Sequence, residues 1–271
     1  MYFAMDEIGF ENTEKIKIIS SESEKWKFIY DTAESYGFEG IHLTPSLYSK
    51  EFGLNIENTP EYFQDFKLTL HFGGTDNITC AQSYEMYSYA LEKAIETAAK
   101  HNMHDISIHP PNIYELPLAK IKTCYELFRK IIEKWLAVTI KNGISLTLET
   151  HVSGKYFLFD GLENFIKFTD SYPELGILID VSHNYYDGYS EDEIIGCFAD
   201  KNVKGLHISD ALQGVDFNQG THLAIGKGTI DFSKIIKHFN HIPNLYSALE
   251  IKANNKEVAN SLEIVVAALV G

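Results

Sequence analysis

The chain has 271 residues and a formal net charge of −15, from 38 acidic and 23 basic residues. Because this charge repels polyanions, the composition disfavours a broad nucleic-acid-binding face, although a cluster of metal ions can override it, and we expect a small-molecule partner. No apolar run approaches the roughly 18 residues of a membrane span. The N-terminus lacks a signal-peptide pattern and the three cysteines have no paired spacing, so we expect a cytoplasmic protein with no membrane partner.

Short apolar runs alternate along the chain with longer segments whose apolar residues recur every three or four positions. In chain order, the predicted strands are Tyr2–Met5, Gly40–Leu43, Lys67–Phe72, Asp105–His109, Ser145–Thr150, Gly176–Val181, Val203–Ile208 and Ser247–Ile251. Helical spacing is clearest over Glu85–Lys100, Leu116–Lys141 and Glu163–Ser171. Strands that alternate with helices in this way predict a parallel sheet.

The repeating order predicts a single (β/α)8 TIM barrel domain over residues 1–271, with an active site at the C-terminal ends of the strands. An open doubly wound sheet usually carries a glycine-rich phosphate loop after its first strand. Here the turn after Met5 reads Asp6-Glu7-Ile8-Gly9-Phe10, and no linker marks a domain boundary. Helices are expected to begin after Ser190 and Asp231, whose side chains can cap them.

Six successive predicted strands, the third to the eighth, end in groups that can bind a metal. These groups are His71, His109, Glu149, Asp180 followed by His183, His207 followed by Asp210, and Glu250. Consecutive groups are 27 to 43 residues apart, close to the roughly 34 residues of one βα unit in a barrel of this length. Carboxylates and imidazoles that share an apolar mouth need a cation to offset their repulsion and desolvation. Mixed Asp, Glu and His ligands fit zinc or manganese.

From Glu149 onward, the motifs resemble the xylose-isomerase-like TIM barrel superfamily, which includes sugar phosphate isomerases and epimerases and endonucleases of the endonuclease IV type. The resemblance rests on LETH, LIDVSH, GLHISD, THLAIGKGTIDF and ALEI, in this order. It implies a divalent metal held by Glu149, Asp180, His207 and Glu250. In the epimerase branch, it also implies that Glu149 and Glu250 move protons.

The two branches differ in the ligands that surround this set. The endonuclease IV branch holds two or three zinc ions and uses histidines at the positions of His71, His109, His183 and His222. This chain has Gly220 where that branch carries an aspartate, and FAMDEIGF lacks the histidine-glycine signature of its first strand. The epimerase branch needs one ion, and it commonly has a substrate-binding arginine at the position of His222, which this chain lacks.

Charge and loops favour the epimerase branch as the leading hypothesis, with a sugar or sugar phosphate as substrate and proton transfer through an enediolate. The alternatives are a multi-zinc phosphoesterase that acts on abasic-site DNA or a smaller phosphate ester, and a non-catalytic sugar-binding barrel. His109 and His183 are expected to orient hydroxyls, and Tyr185 and Tyr186 to lie near the sugar. Lys227 is a candidate phosphate contact, although loop lysines are more often solvated. A homo-oligomer is compatible with this fold, but no segment identifies an interface.

Overall fold

In the computed structural model, the chain is described over residues 1–6, 18–44, 55–73, 77–153 and 156–270. Within these ranges, eight parallel strands close into a barrel in sequence order. The strands are β1 (Tyr2–Asp6), β2 (Gly40–Leu43), β3 (Lys67–Phe72), β4 (Asp105–Ile108), β5 (Ser145–Glu149), β6 (Gly176–Asp180), β7 (Val203–Ile208) and β8 (Tyr246–Leu249). The closed sheet confirms the predicted (β/α)8 barrel and excludes the open doubly wound sheet. Most of the turn after the first strand (residues 7–10) lies outside the described residues.

Helices occupy the connections between the strands. They are α1 (Glu22–Tyr36), α2 (Ala81–Lys100), α3 (Leu118–Lys141), α4 (Gly161–Thr169), α5 (Val181–Tyr186), α6 (Glu191–Phe198), α7 (Phe217–Gly220), α8 (Phe232–Phe239) and α9 (Asn255–Val270). Short 3-10 turns at Ile56–Asn58 and Glu61–Asp65 precede β3. In the described ranges, no helix combines the length and apolar character needed to cross a bilayer.

The predicted helix starts at Ser190 and Asp231 are confirmed by their hydrogen bonds. Ser190 Oγ accepts from the backbone N–H of Glu193 at 3.4 Å, and Glu193 Oε2 accepts from the backbone N–H of Ser190 at 2.8 Å. Asp231 Oδ1 accepts from the backbone N–H of Ser233 at 3.0 Å. Each carboxylate or hydroxyl satisfies an N–H group that has no partner inside the helix.

The period of two along each strand separates the helix-facing core from the barrel interior. Most buried strand residues pack in one cluster with the helices, whereas Tyr2, Ala4, Leu178, Tyr246 and Ala248 form a separate apolar cluster. Glu250 lies two positions after Ala248, just beyond the end of β8, and the same alternation predicts that it faces the barrel interior. Polar residues that share this face therefore converge at the mouth.

Two glycines make room for the tyrosine rings inside the barrel. A Cβ atom at Gly205 would lie 2.3 Å from the ring of Tyr246, and one at Gly40 would lie 2.7 Å from the ring of Tyr2. Tyr246 Oη donates to Asp105 Oδ1 at 3.0 Å, as does Thr147 Oγ1 at the same distance. These residues lie at the starts or middles of their strands, so they close the barrel at the end opposite to the mouth.

Candidate metal centre

The four residues implied as ligands by the family resemblance lie together at the mouth. Glu149, Asp180, His207 and Glu250 each offer one ligand atom, and these atoms all lie within 4.8 Å of one another. His207 Nδ1 is 2.9 Å from Glu250 Oε2, 3.4 Å from Glu149 Oε1 and 3.8 Å from Asp180 Oδ2. The register of the parallel strands, which pairs Asp180 with His207, brings them to the same height.

Two further groups of ligand atoms flank this central set. On one side, His71 Nε2 and His109 Nε2 lie 2.7 Å apart, and they are 3.1 Å and 2.9 Å from Glu149 Oε2. On the other side, His183 Nδ1 lies 3.2 Å from Asp180 Oδ2, and His183 Nε2 lies 3.2 Å from His222 Nε2. Glu149 and Asp180 therefore belong to both the central and a flanking group.

The loop that carries His222 is shaped by backbone constraints. His222 has a φ of +55°, a left-handed conformation that is uncommon outside glycine and that is often found at functional sites. A Cβ atom at Gly220 would lie 2.7 Å from Val215 Cγ2 and 2.8 Å from the carbonyl oxygen of Leu212. The backbone thus has no room for the aspartate that the endonuclease IV branch carries at this position.

Asp210, which follows the predicted His207 strand, holds this loop and is not part of the ligand groups. Its Oδ2 accepts from the backbone N–H groups of Gly226 and Gly228 at 2.8 Å and 2.9 Å. Its Oδ1 accepts from those of Ala211 and Ile230 at 2.9 Å and 3.1 Å. Because both oxygens of this carboxylate already accept two backbone hydrogen bonds each, Asp210 organises the turn formed by residues 226–228, here called the GKG turn.

The residues of the ligand groups carry buried polar atoms that have no hydrogen bond. Among the described residues, every one of the eight predicted ligands has a buried nitrogen or oxygen without a hydrogen-bond partner. These atoms are His71 Nδ1, His109 Nδ1, Glu149 Oε2, Asp180 Oδ2, His183 Nδ1, His207 Nδ1, His222 Nδ1 and Glu250 Oε2. Buried polar atoms are normally hydrogen-bonded, so such a concentration indicates that something else satisfies several of them.

The charges at the mouth are strongly coupled. Burial would raise the pKa of Glu149, but the imidazoles of His109 and His207 hold that pKa well below its usual range. Glu250 has a similarly lowered pKa because His222 and His207 outweigh its burial. In turn, Glu149 and Glu250 overcome the burial of His207 and hold its pKa well above the usual value. The two glutamates are therefore ionised, which is the form that binds a cation.

The sequence pattern of a family described as xylose isomerase-like TIM barrel matches residues 30–267. The chain belongs to this family. The match confirms the resemblance carried by the strand-end motifs. By sequence, no protein of curated function matches the chain.

Solved structures share the whole barrel with this family member at low sequence identity. A D-tagatose 3-epimerase-like protein superposes with a TM-score of 0.78 and 18% identity, over 100% of this chain and 97% of its own. An IolI protein with a zinc atom superposes with a TM-score of 0.74 and 14% identity, over 99% of this chain and 98% of its own. A D-psicose 3-epimerase from Clostridium cellulolyticum H10, with D-tagatose, superposes with a TM-score of 0.70 and 12% identity, over 99% of this chain and 99% of its own. These likenesses show a common fold.

One histidine near the centre, on β2 of this xylose isomerase-like barrel, was not among the predicted ligands. His42 is fully buried, its Nε2 lies 3.1 Å from His207 Nε2, and its Nδ1 lies 2.6 Å from Thr69 Oγ1. With Asp6, His71 and His207, it forms a further group of ligand atoms within 4.8 Å of one another. The signal was present, because GIHL places His42 one residue before the end of its strand, as TLHF does for His71.

His151, in the LETH motif, was also missed as a site residue. Its ring stacks on His183 with centroids 4.5 Å apart and on Phe157 at 3.6 Å, and it lies 5.1 Å from the ring of His109. Burial and the neighbouring His183 and His109 hold the pKa of His151 well below its usual value. The ring lines a cavity of about 560 Å³ beside the ligand groups. Its position two residues after Glu149 was the available clue.

The remaining predicted contacts lie in different places. Lys227 is exposed, and its Nζ lies 3.9 Å from Glu257 Oε1, on the surface of the GKG turn. Tyr185 Oη pairs with Thr229 Oγ1 at 2.9 Å. Tyr186 Oη donates to the carbonyl of Val215 at 3.0 Å, and the Tyr186 side chain lines the cavity. Of these three residues, only Tyr186 borders the cavity.

Proposed function

We propose that the chain is a metal-dependent isomerase or epimerase of a sugar or sugar phosphate. The observation that carries this proposal is the pair of ionised carboxylates, Glu149 and Glu250, that both contact His207 Nδ1. They come from β5 and β8, which are separated by β6 and β7, so they can approach a substrate from different directions. The D-tagatose 3-epimerase-like protein and the D-psicose 3-epimerase with the same fold add support.

In this proposal, Glu149, Asp180, His207 and Glu250 hold one zinc or manganese ion. When bound, the ion polarises the carbonyl and adjacent hydroxyl of the substrate and so lowers the pKa of the neighbouring C–H group. One glutamate removes this proton to give an enediolate and the other returns a proton, which requires carboxylates on both sides of the carbon. Glu149 is 1% exposed and Glu250 is 20% exposed, so Glu250 is the more accessible to a substrate.

Proton transfer can be tested by exchange with solvent. We expect the metal-loaded protein in D₂O to place deuterium on a carbon next to the carbonyl of a ketose or ketose phosphate, as measured by mass spectrometry. Glu149→Gln and Glu250→Gln should each reduce the rate by at least about 100-fold, because each removes one proton carrier. Glu263→Gln, on the exposed face of α9, is the matched control and should exchange normally. Exchange that is undiminished in both site variants, or absent from the wild-type protein with every sugar, would contradict the proposal.

A second candidate, a multi-zinc phosphoesterase, is favoured by the two flanking groups of ligand atoms. These groups share Glu149 and Asp180 with the central set, and shared carboxylates are suited to bridging neighbouring ions. In that reaction, His71, His109, His183 and His222 would be further ligands, and the ions would supply an activated water for hydrolysis of a phosphate ester. Gly220 weakens this hypothesis, because this chain has no carboxylate where the endonuclease IV branch carries an aspartate.

Metal content and phosphate hydrolysis distinguish the two candidates. Two or three zinc ions per chain, together with cleavage of an abasic duplex or of p-nitrophenyl phosphate that is lost in His109→Ala, would establish the phosphoesterase. One ion per chain with no hydrolysis of either probe rules it out.

A further inference from the structure

The cavity beside the ligand groups, here called the His151 cavity, has walls suited to a specific class of ligand. It has a volume of about 560 Å³ and is lined by His151, Phe157, Tyr186, Asp187, Asp216 and Phe217, among others. The ring of Phe217 lies 5.6 Å from that of His183, and the ring of His151 lies 4.5 Å from it. The cavity therefore adjoins His183, which belongs to one of the flanking groups of ligand atoms.

Aromatic rings and short polar side chains alternate around this space. Tyr186 and Phe217 meet edge to face with centroids 5.4 Å apart, which fixes both rings. Asn112 and Asn218 add amide groups to the lining. Flat apolar faces combined with amide and carboxylate groups match a saccharide, which has C–H faces and a rim of hydroxyls.

The charge of the lining discriminates between sugars and sugar phosphates. Asp187 and Asp216 both border the cavity. The Asp187 carboxylate accepts from the backbone N–H of Ser153, which holds it in place. A phosphate dianion beside two carboxylates is repelled, whereas sugar hydroxyls can donate to them.

His151, which lines this space, has a defined tautomer. The backbone N–H of Val152 donates to His151 Nδ1 at 2.9 Å. Since a backbone N–H can only donate, Nδ1 carries no hydrogen in this arrangement, and the hydrogen of the neutral ring is on Nε2. Stacking on Phe157 and His183 fixes the plane of the ring.

We propose that the His151 cavity is the sugar subsite of this barrel and selects an uncharged saccharide, with His151 Nε2–H donating to one of its hydroxyls. This proposal rests on the proposed function and narrows its substrate class. The distinction between uncharged and phosphorylated sugars follows from the two carboxylates, and the contact with His151 follows from its tautomer.

Binding can be measured separately from turnover. Calorimetry on the metal-loaded protein should show that D-fructose or D-tagatose binds at least about tenfold more tightly than its phosphate ester. His151→Phe keeps a stacking ring but removes the donor, so it should weaken sugar binding about three- to tenfold. His151→Gln keeps an N–H donor and should retain more affinity than His151→Phe.

A second variant tests the contribution of the two carboxylates that border the cavity. Asp187→Asn combined with Asp216→Asn should reduce the preference for the uncharged sugar to less than about threefold. Asp216 Oδ1 accepts from the backbone N–H of Asn218 at 3.0 Å, and asparagine can make the same cap. Equal metal content and thermal unfolding temperatures in all variants would show that the fold is retained.

The outcomes separate this proposal from the proposed function. If sugar phosphates bind as tightly as the free sugars, or if His151→Phe binds as the wild type does, the subsite proposal is wrong even when deuterium exchange occurs. If uncharged sugars bind with the expected dependence on His151 but never exchange deuterium, the subsite stands and the isomerase proposal fails. If no sugar binds, both are overturned.

Discussion

At the scale of single residues, the two nitrogens of His207 face different neighbours. Nδ1 faces the carboxylates of the candidate metal centre, whereas Nε2 lies 3.1 Å from His42 Nε2. An imidazole that binds a cation through Nδ1 keeps its hydrogen on Nε2, and His42 Nε2 is placed to accept it. His42 then carries its own hydrogen on Nδ1, which can donate to Thr69 Oγ1 at 2.6 Å. His42 is therefore a positioning residue for His207.

Replacement of His42 should weaken metal binding without removing a ligand of the central set. His42→Phe keeps a ring in the buried space, including its stacking on His71 at 5.1 Å, but cannot accept the hydrogen from His207. We expect zinc or manganese affinity to fall about 10- to 100-fold, as measured by competition with a chelator. Thr69→Ser keeps the hydroxyl and is the matched control, with unchanged affinity. If His42→Phe binds metal as tightly as the wild-type protein, the positioning role is wrong.

The sequence revealed some of these residues and not others for a physical reason. His71, Glu149 and Asp180 each interrupt an apolar strand near its end, so each is conspicuous in the sequence alone. His42 has a similar position near the end of its strand, but its role depends on contact with His207 across 165 positions of sequence, and only closure of the barrel brings the two rings together. The role proposed for His151 likewise depends on its contacts with the rings of Phe157 and His183, which the sequence does not show.

At the scale of elements, the strands were predicted closely because their apolar runs are short and well separated. Three strands end one residue earlier than predicted, so His109, Thr150 and Val181 lie beyond β4, β5 and β6. Strand β1 extends one residue further than predicted, to Asp6, and β8 begins one residue earlier and ends two residues earlier than predicted. Regular pairing between neighbouring strands ends at the mouth, while the polar side chains continue into the loops. Helix α2 begins at Ala81, four residues before the predicted Glu85, because Cys80 and Ser83 form a capping box ahead of the apolar pattern.

The GKG turn gives a prediction about one loop. A Cβ atom at Gly228 would lie 2.2 Å from the carbonyl oxygen of Ala211 and 2.4 Å from Asp210 Oδ1. Gly228→Ala should therefore displace the turn from Asp210 and lower the free energy of unfolding by about 1–3 kcal/mol. Urea denaturation measures this change. Because Asp210 also pairs with Leu223, next to His222, metal affinity should fall as well.

Gly196 in helix α6 provides the matched control for this substitution. A Cβ atom there meets nothing within 4 Å, so Gly196→Ala should raise the free energy of unfolding by about 0.5–1 kcal/mol through helix propensity. If Gly228→Ala is as stable as Gly196→Ala, the close packing of the GKG turn on Asp210 does not constrain the loop.

At the scale of the whole molecule, the barrel interior is polar at both ends for different reasons. At the mouth, carboxylates and imidazoles balance one another and fit a cation. At the other end, Asp105 is buried, and its Oδ1 accepts hydrogen bonds from Thr147 on β5 and Tyr246 on β8. The sequence predicted strand starts near these residues but not their environment, because only closure of the barrel excludes water from Asp105.

The buried Asp105 predicts how the stability of the whole barrel depends on pH. Burial raises the pKa of Asp105 from 3.8 to about 7, although hydrogen bonds from Thr147 and Tyr246 oppose this shift. Below about pH 4, both the folded and the unfolded chain hold the proton, so Asp105 adds no pH dependence. Between about pH 4 and pH 7, the unfolded chain releases the proton while the folded chain keeps it. The free energy of unfolding therefore falls across this window, by at most about 4 kcal/mol, and is constant above it with respect to this group.

Asp105→Asn should remove this dependence, because an amide keeps the acceptor for Thr147 and Tyr246 but never ionises. We expect the variant to be more stable than the wild-type protein at pH 8, by an amount that approaches the full difference, and to match it at pH 4. Urea unfolding at a series of pH values measures both curves. Asp200→Asn, at an exposed position, should follow the wild-type curve. The free energy of unfolding of the wild-type protein could instead run parallel to that of Asp105→Asn from pH 4 to pH 8. Asp105 would then have the same pKa in the folded and unfolded chains, and the closed end of the barrel would not disfavour its charge.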